Sequence, residues 1–463
     1  MTQDYEMKLK YDLNRLNFIL SIRMTLGKAI ITIIISLLIG VISTALLFLA
    51  ITFSIQPLSE GAYMEYISVN SYWKSGLQLE NKDVANLPII NASEYEGEND
   101  TERLQAALDD VPEGGAIVFI SSGVWKAAGL RAKSNTIILG SNGTVIERPE
   151  NTTKPFINFT DASNFAVVNV TFNGKNIENA MGIIIMDCQN FTIKSNVFIN
   201  IAKTAVKVIV TLNGTSSYFT IDDNIFLNCQ IVPIHLFGIP SRRAITDFLI
   251  KNNILKNGTR NGKIGIAFSA NGVVAKNKVI NCENGIATRC VTNITIAENE
   301  IVNVTDYGIY LGTQIGDRGT NSVRIKGNEI RNGRIGISRR YGGYPVENVE
   351  VINNVFINNR EYDIIADFPG LFINNTITNA AKLKITDPSS EFFGTRTISG
   401  QLVIPGDINL DYKIDIVDIS FLARLFGSTE NSPNWNETAD IISDGQIDIK
   451  DVSFVAKNFG FMA

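Results

Sequence analysis

Among the 463 residues there is one histidine, His235, and there are four cysteines, Cys188, Cys229, Cys282 and Cys290. The cysteines show neither a C-x-x-C pair nor any other metal-ligand spacing, which excludes a cysteine-based metal centre. They read as buried small residues, with a Cys282–Cys290 bridge as the alternative. Charge is also scarce, at 19% Asp, Glu, Lys and Arg and a net −5. No basic stripe stands out, which excludes nucleic acid as a partner. The length excludes one ordinary compact core, leaving several domains or one elongated repeat. Asn, Ile, Val and Gly fill the gap left by charge, a composition suited to short β-strands and tight turns.

One stretch lacks charge altogether. Ala29 to Ile55, "AIITIIISLLIGVISTALLFLAITFSI", has no Asp, Glu, Lys or Arg from end to end. As a helix it would reach roughly 40 Å, enough to cross a bilayer with some tilt. Lys8, Lys10, Arg15, Arg23 and Lys28 precede it, and the next basic residue is Lys74. The positive-inside rule then makes residues 1–28 a cytoplasmic tail, 29–55 a single-pass anchor in the cell membrane, and the bulk of the chain extracytoplasmic. The run is longer than the apolar part of a cleaved signal peptide. Thirteen N-x-S/T sequons all lie beyond it, as a glycoprotein of this topology requires. Residues 56–93 read as a stalk or an early cap.

Past residue 165 the chain repeats. "IKSNVFIN", "IDDNIFLN", "IKNNILKN", "VAKNKVIN", "IAENEIVN", "IKGNEIRN", "VINNVFIN" and "FINNTITN" each carry two asparagines four apart, and "VVNVTFNG" is aligned with them through Asn169 and Asn173. The first asparagines of successive copies, such as Asn196, Asn224, Asn253 and Asn277, mark out the period. Apolar residues alternate between the asparagines, and a short "G-I-x-I" strand often follows. Two or three short strands per period of this length indicate a parallel β-helix. Asn tolerates a left-handed corner, and asparagines stacked on successive coils can hydrogen-bond in a ladder. Such a solenoid needs covered ends. "NDTERLQAALDDV" offers Asp100 or Thr101 as a helix N-cap and an apolar face of Leu104, Ala107, Leu108 and Val111.

The run "NDTERLQAALDDVPEGGAIVFISSGVW" resembles the opening of the pectate-lyase-like superfamily. The matching positions are Asp100-Thr101, Leu104 to Leu108, Gly114-Gly115 and Gly123-Val124-Trp125. Ser121-Ser122 stand where prolines are usual, and Trp125 replaces Tyr. The resemblance implies a right-handed helix over residues 94–385. It leaves activity open, because the superfamily spans lyases, hydrolases, epimerases and non-catalytic proteins.

Enzymes of this fold work on the outward face of one sheet. Aligning the "G-I-x-I" strands gives an outward row of Ile184, Lys207, His235, Ala267, Ala287, Tyr310 and Ser338. Two residues on, a second row reads Met186, Ile209, Phe237, Ser269, Arg289, Gly312 and Arg340. Lys207, His235, Arg289, Tyr310 and Arg340 are the candidate catalytic set. A lyase that takes the proton beside a uronate carboxylate needs a base and a cation. The alternative is a solvated sheet face. Asp222-Asp223 and Arg324-Ile325-Lys326 echo polygalacturonases, but they occupy ordinary repeat positions without Asn-Thr-Asp or Gly-His-Gly. The row also lacks the paired carboxylates of a glycosidase.

After a linker at 386–405, residues 406–463 change character. Asp407, Asn409, Asp411, the Lys413 carbonyl, Asp415 and Asp418 fall at positions 1, 3, 5, 7, 9 and 12 of an EF-type loop, the oxygen set of Ca²⁺. The pattern returns downstream with Asp440, Asp444, the Gln446 carbonyl, Asp448 and Asp451. Ile442 takes the place of a third-position ligand, and Tyr412 stands where the turn prefers Gly. The tandem resembles a type I dockerin, which implies Ca²⁺ and a cohesin-like partner. The first loop is expected to bind calcium better than the second. Ile416-Val417 and Ile449-Lys450 depart from the Ser/Thr pair common in cellulosomal dockerins.

The reading is thus a mainly β chain: a right-handed parallel β-helix behind an N-terminal transmembrane helix, ending in a small α-helical dockerin-like unit. The function expected is an anchored surface protein that binds, and as a lyase cleaves, acidic polysaccharide. The alternative is a non-catalytic adhesion or envelope spacer protein.

Overall fold

The computed structural model describes residues 86–463, apart from 151, 314–318, 341–344, 380–381, 402, 410 and 461–463. The expected tail and anchor at 1–55 lie outside the described residues. Among the described residues no helix is long and apolar enough to cross a membrane.

Each coil of the β-helix contains three short strands, as in Val206–Ile209, Ser216–Asp222 and Ile225–Leu227. Successive coils pair strand on parallel strand, giving sheets of 11, 13 and 12 strands among the described residues. Alternation sends Val206 and Val208 inward and Lys207 and Ile209 outward. The inward residues then stack on their own kind one coil further. Phe165, Phe191, Phe219 and Phe248 form one column, with neighbouring ring centroids 4.5–5.6 Å apart. The column ends at Gly272, where a Cβ would lie 2.0 Å from the Phe248 ring.

The two asparagines of each repeat do different work. The first is buried. Asn196, Asn224, Asn253, Asn277, Asn299, Asn328, Asn354 and Asn375 form a ladder in which each Nδ2 donates to the next Oδ1 at 2.9–3.1 Å. Each Oδ1 also accepts the preceding coil's asparagine N–H at 2.9–3.0 Å. The second asparagine sits at the next corner with positive φ. Asn200, Asn228, Asn257, Asn281, Asn303, Asn332 and Asn358 lie between 52° and 60°. These corner amides link in the opposite sense, as in Asn228 Nδ2 to Asn200 Oδ1 at 3.1 Å. The Asn169/Asn173 pair is out of register by one residue: Val170, not Asn169, precedes Asn196 in the buried ladder, and its N–H donates to Asn196 Oδ1 at 3.0 Å. The ladder stops at Thr395, whose buried hydroxyl has no hydrogen-bond partner among the described residues.

A third left-handed position lies inside the strands of the 13-stranded sheet. Asn164, Asn190, Asn271, Asn293 and Asn348 occupy it, with Tyr218, Asp247 and Ser322 in the other coils. Pairing skips these residues, as between Gln189–Ser163 and Phe191–Phe165, so the strand bends there.

The N-terminal cover is helix α1, Asp100–Asp109, which buries Leu104, Ala107 and Leu108. Its N-cap is Asn99 rather than Asp100 or Thr101, because the Asn99 side chain accepts the Glu102 N–H. The solenoid exceeds the 94–385 span. Ile89–Asn91 pairs with the first long strand, within the segment read as stalk. Glu391–Phe393 and Arg396–Thr397 extend two sheets into the supposed linker. All four cysteines are buried and Cys282 is in no disulfide, so the Cys282–Cys290 bridge is not formed.

Replacing Asn299 by Ala takes the acceptor from the buried Asn277 N–H and one of three acceptors from Asn277 Nδ2, which keeps the Ile250 and Ala275 carbonyls. The expected loss is about 3 kcal/mol in chemical denaturation. Asn303→Gly, at a corner that glycine also accepts, is expected to change stability by less than about 1 kcal/mol. Equal losses would contradict this division of labour.

Candidate functional site

The 11-stranded sheet carries the predicted outward rows. The register aligns Ile184, Lys207, His235, Gly265, Ala287, Tyr310 and Ser338. The second row is Met186, Ile209, Phe237, Ala267, Arg289, Gly312 and Arg340. One coil is corrected: Gly265 replaces Ala267 in the first row and Ala267 replaces Ser269 in the second. The strand Ile264–Ala267 begins two residues earlier than the alignment assumed, and Ser269 opens a strand of the 13-stranded sheet.

Lys207 and His235 are directly opposed neighbours. Tyr310 lies three coils beyond His235, roughly 15 Å at the usual strand spacing. Arg289 and Arg340 flank Gly312 on the second row. The five residues therefore share one face but do not converge on one point.

Tyr310 is the best-organised member. Lys263, in the turn entering the strand Ile264–Ala267, donates to the Tyr310 hydroxyl at 2.8 Å. The Arg340 guanidinium stands 5.4 Å from the Tyr310 ring and 5.3 Å from the Tyr307 ring. Asp306 holds Arg340 at 3.2 Å and also pairs with Arg334. Arg289 lies 4.9 Å from the Phe268 ring. Lys263, Asp306 and Tyr307 were missed in the sequence because they lie in turns or off the outward rows. Tyr310 is only 6% exposed and Lys263 8%, and the Arg340 guanidinium stands over the Tyr310 ring.

Burial and like charge set the protonation states. His235 is pushed down to about 4 by burial, then by the Lys207 and Lys263 ammonium groups. Lys263 is lowered to about 8 by burial and then by Arg340, with Glu283 and Asp306 opposing. Lys207 is held below the ordinary lysine range by burial and by Lys203. The face thus presents a neutral imidazole among cations at neutral pH. That arrangement suits holding an anion.

The polygalacturonase echoes lie elsewhere. Asp222 is in the 13-stranded sheet, paired to Lys194 at 3.3 Å and Lys251 at 3.9 Å. Arg324 is in the same sheet and pairs with Glu350 at 2.5 Å. Both belong to inter-coil charge pairing.

The C-terminal unit is built on an internal duplication. Helices α2, Ile416–Leu425, and α3, Ile449–Lys457, each start on an aspartate capping box, Asp415 with Asp418 and Asp448 with Asp451. Asp407 accepts the N–H groups of Asp411 and Tyr412 at 3.1 and 2.8 Å. Asp440 does the same with Asp444 and Gly445 at 3.2 and 3.0 Å. The halves cross-link reciprocally: Gly427 N–H bonds Ile447 O and Gly460 N–H bonds Ile414 O, both at 2.8 Å. Tyr412 adopts φ 67°, as a residue in the glycine position must.

Among the described residues no group of three His, Cys, Asp or Glu side chains is gathered closely enough to hold a metal. The chemistry of the donor set fits a hard cation all the same. Asp407, Asp418, Asp440 and Asp451 are buried carboxylates, and none has a lysine or arginine partner among the described residues. Burial raises the pKa values of Asp407, Asp440 and Asp451; the backbone N–H groups they accept oppose this, and the neighbouring loop carboxylates add to it.

His235 should titrate by NMR with a midpoint near 4, a clean observation because the chain has no other histidine. Its ordinary value is about 6.5, so the unfolded chain takes up the proton first and stability falls as pH drops from about 6.5 towards 4. A midpoint at or above 6 would contradict the buried, cation-flanked placement.

Residues 209–381 match the family model of the right handed beta helix region, and residues 405–460 match that of the dockerin type I domain. No curated protein matches the chain. Among solved structures, a hyperthermoactive exopolygalacturonase from Thermotoga maritima is 13% identical with a TM-score of 0.50, over 73% of this chain and 94% of that one. The surface adhesin PfbA of Streptococcus pneumoniae is 15% identical with a TM-score of 0.46, over 67% and 90%. The A-module of the mannuronan C-5 epimerase AlgE4 from Azotobacter vinelandii is 14% identical with a TM-score of 0.42, over 66% and 95%. At 13% identity the likeness to the exopolygalacturonase is one of fold alone. The chain thus carries a right-handed parallel β-helix followed by a type I dockerin domain.

Proposed function

We propose that this chain is a single-pass, extracytoplasmic protein whose β-helix binds an acidic polysaccharide and whose dockerin domain, folded around calcium, docks it to a cohesin-like partner. The observation that carries the reading is the cationic face formed by Lys207, Lys263, Arg289 and Arg340 around Tyr310 and His235. A uronate chain offers regularly spaced carboxylates to such a face, and arginine can take them two-pronged. The spacing of sugar residues along an extended glycan is comparable with that of the coils. The charge-free run at 29–55 supports the anchor.

Cleavage is the finer part of the proposal. A deprotonated Lys263 would serve as base with Arg340, its neighbour on Tyr310, stabilising the enolate-like charge, or a neutral His235 would do so with Arg289, the nearer arginine. The second reading, a non-catalytic adhesion or spacer protein, is favoured by one observation: the Tyr310 hydroxyl is buried and occupied by Lys263.

For calcium, Asp407, Asn409, Asp411, the Lys413 carbonyl, Asp415 and Asp418 would hold the ion in the first loop. Asp440, Asp444, the Gln446 carbonyl, Asp448 and Asp451 would do so in the second. The ion supplies the positive charge that the buried carboxylates lack. Docking would use the exposed Ile416, Val417 and Phe421 of α2 and Ile449 of α3.

Affinity electrophoresis in polygalacturonate and in alginate is expected to retard the chain, while a neutral glucan is not. Arg289→Ala with Arg340→Ala should weaken retardation by about tenfold or more. Retardation by neutral glycans alone would contradict the reading. Absorbance at 235 nm separates the two forms of it: unsaturated product marks a lyase, and its absence from every acidic glycan leaves the binding or spacer protein.

Calcium should raise the unfolding midpoint of the C-terminal unit at pH 7, and a chelator should reverse this. An identical midpoint with and without calcium would contradict a calcium-folded dockerin.

A further inference from the structure

The two acidic loops share a backbone pattern and each holds one lysine, Lys413 or Lys450, but the two lysines sit at different loop positions. In the first loop Asn409 Nδ2 donates to Asp411 Oδ2 at 2.9 Å. In the second, Ile442 stands in the asparagine's place and is buried in the apolar core, so it offers Asp444 nothing. Lys450 fills the gap. Its Nζ lies 2.5 Å from Asp444 Oδ2 and 3.8 Å from Asp448 Oδ2. Its counterpart in the first loop is Val417, which has no charge to contribute. The Lys450 side chain is 54% exposed, so it can leave the loop without disturbing the core.

We propose that Lys450 is a tethered counter-ion that competes with calcium for the second loop, so that the two loops fill at well-separated calcium concentrations. The inference rests on the calcium reading given above. An ammonium on two of the four carboxylates repels a divalent ion and must be displaced before Asp444 and Asp448 can ligate. Calcium affinity follows the charge and number of ligating oxygens; the second loop has one ligating side chain fewer, Ile442 for Asn409, and its lysine, unlike Lys413 of the first loop, pairs with two of its four carboxylates. The loop is then closed by lysine at low calcium and by the metal at high calcium. Position 450 also lies beside the exposed Ile449, so displacing the ammonium changes the surface offered by the start of α3.

The test is calorimetric titration of the chelator-treated full-length chain with CaCl2, for wild type, Lys450→Met, Lys450→Arg and Val417→Lys. Wild type is expected to show two events. Lys450→Met should tighten the weaker event by about tenfold and leave the tighter one unchanged. Lys450→Arg should keep wild-type constants, and Val417→Lys should weaken the tighter event by a similar factor. The gain in Lys450→Met should shrink in high salt, as a charge effect must. Unchanged constants in Lys450→Met would overturn the role of Lys450 while leaving calcium binding intact. No calcium binding in any of the four proteins would overturn the calcium reading, and the inference with it.

Discussion

The structure depends on a single repeated interaction, the side-chain amide of one buried asparagine bonding the next asparagine one coil away. A parallel β-helix has no hairpins to fix register, so each coil must be told where to sit on the last. Apolar stacking alone does this weakly, since one Ile packs on another over a range of offsets. The amide ladder is directional. From Asn224 to Asn375, each accepting Oδ1 takes both an N–H and an Nδ2–H from the coil before it, and a slip of one residue would break both bonds in the interior. With register fixed, the phenylalanine column forms, the corners can be tight, and outward side chains fall into straight rows.

Those rows turn a repeat into a surface. Charges a full coil apart in sequence become neighbours: Lys194 beside Asp222, Lys278 beside Glu300, Arg324 beside Glu350. On the 12- and 13-stranded sheets such pairs balance in sign. On the 11-stranded sheet the cations gather around aromatic rings, and Glu283 and Asp306 only partly offset them. This imbalance distinguishes the proposed binding face from the structural charge ladders around it, and it adds to burial, the larger cause, in keeping His235 neutral and Lys263 easily deprotonated.

Much of this was legible in the sequence. The asparagine pairs four apart announced the coils, and alternation within "G-I-x-I" placed Lys207, His235, Tyr310 and Arg340 on one face. The limits are equally physical. At Asn169 the motif survives while its register has moved by one, because Val170 can occupy the ladder position when only its N–H is used. At Ile264 an early strand start shifted one coil by two residues. Lys263 could not be found, since its importance comes from reaching Tyr310, 47 residues away. In the C-terminal unit the duplication was plain, but the contact of Lys450 with Asp444 emerged only from the fold.

Native-state hydrogen exchange, read peptide by peptide by mass spectrometry, tests the ladder most directly. If buried asparagine amides hold the coils in register, segments spanning Asn224, Asn253, Asn277 and Asn299 will be the slowest to exchange in the chain, and calcium removal will speed exchange only beyond residue 405. Exchange at those asparagines as fast as in the connecting turns would contradict the account.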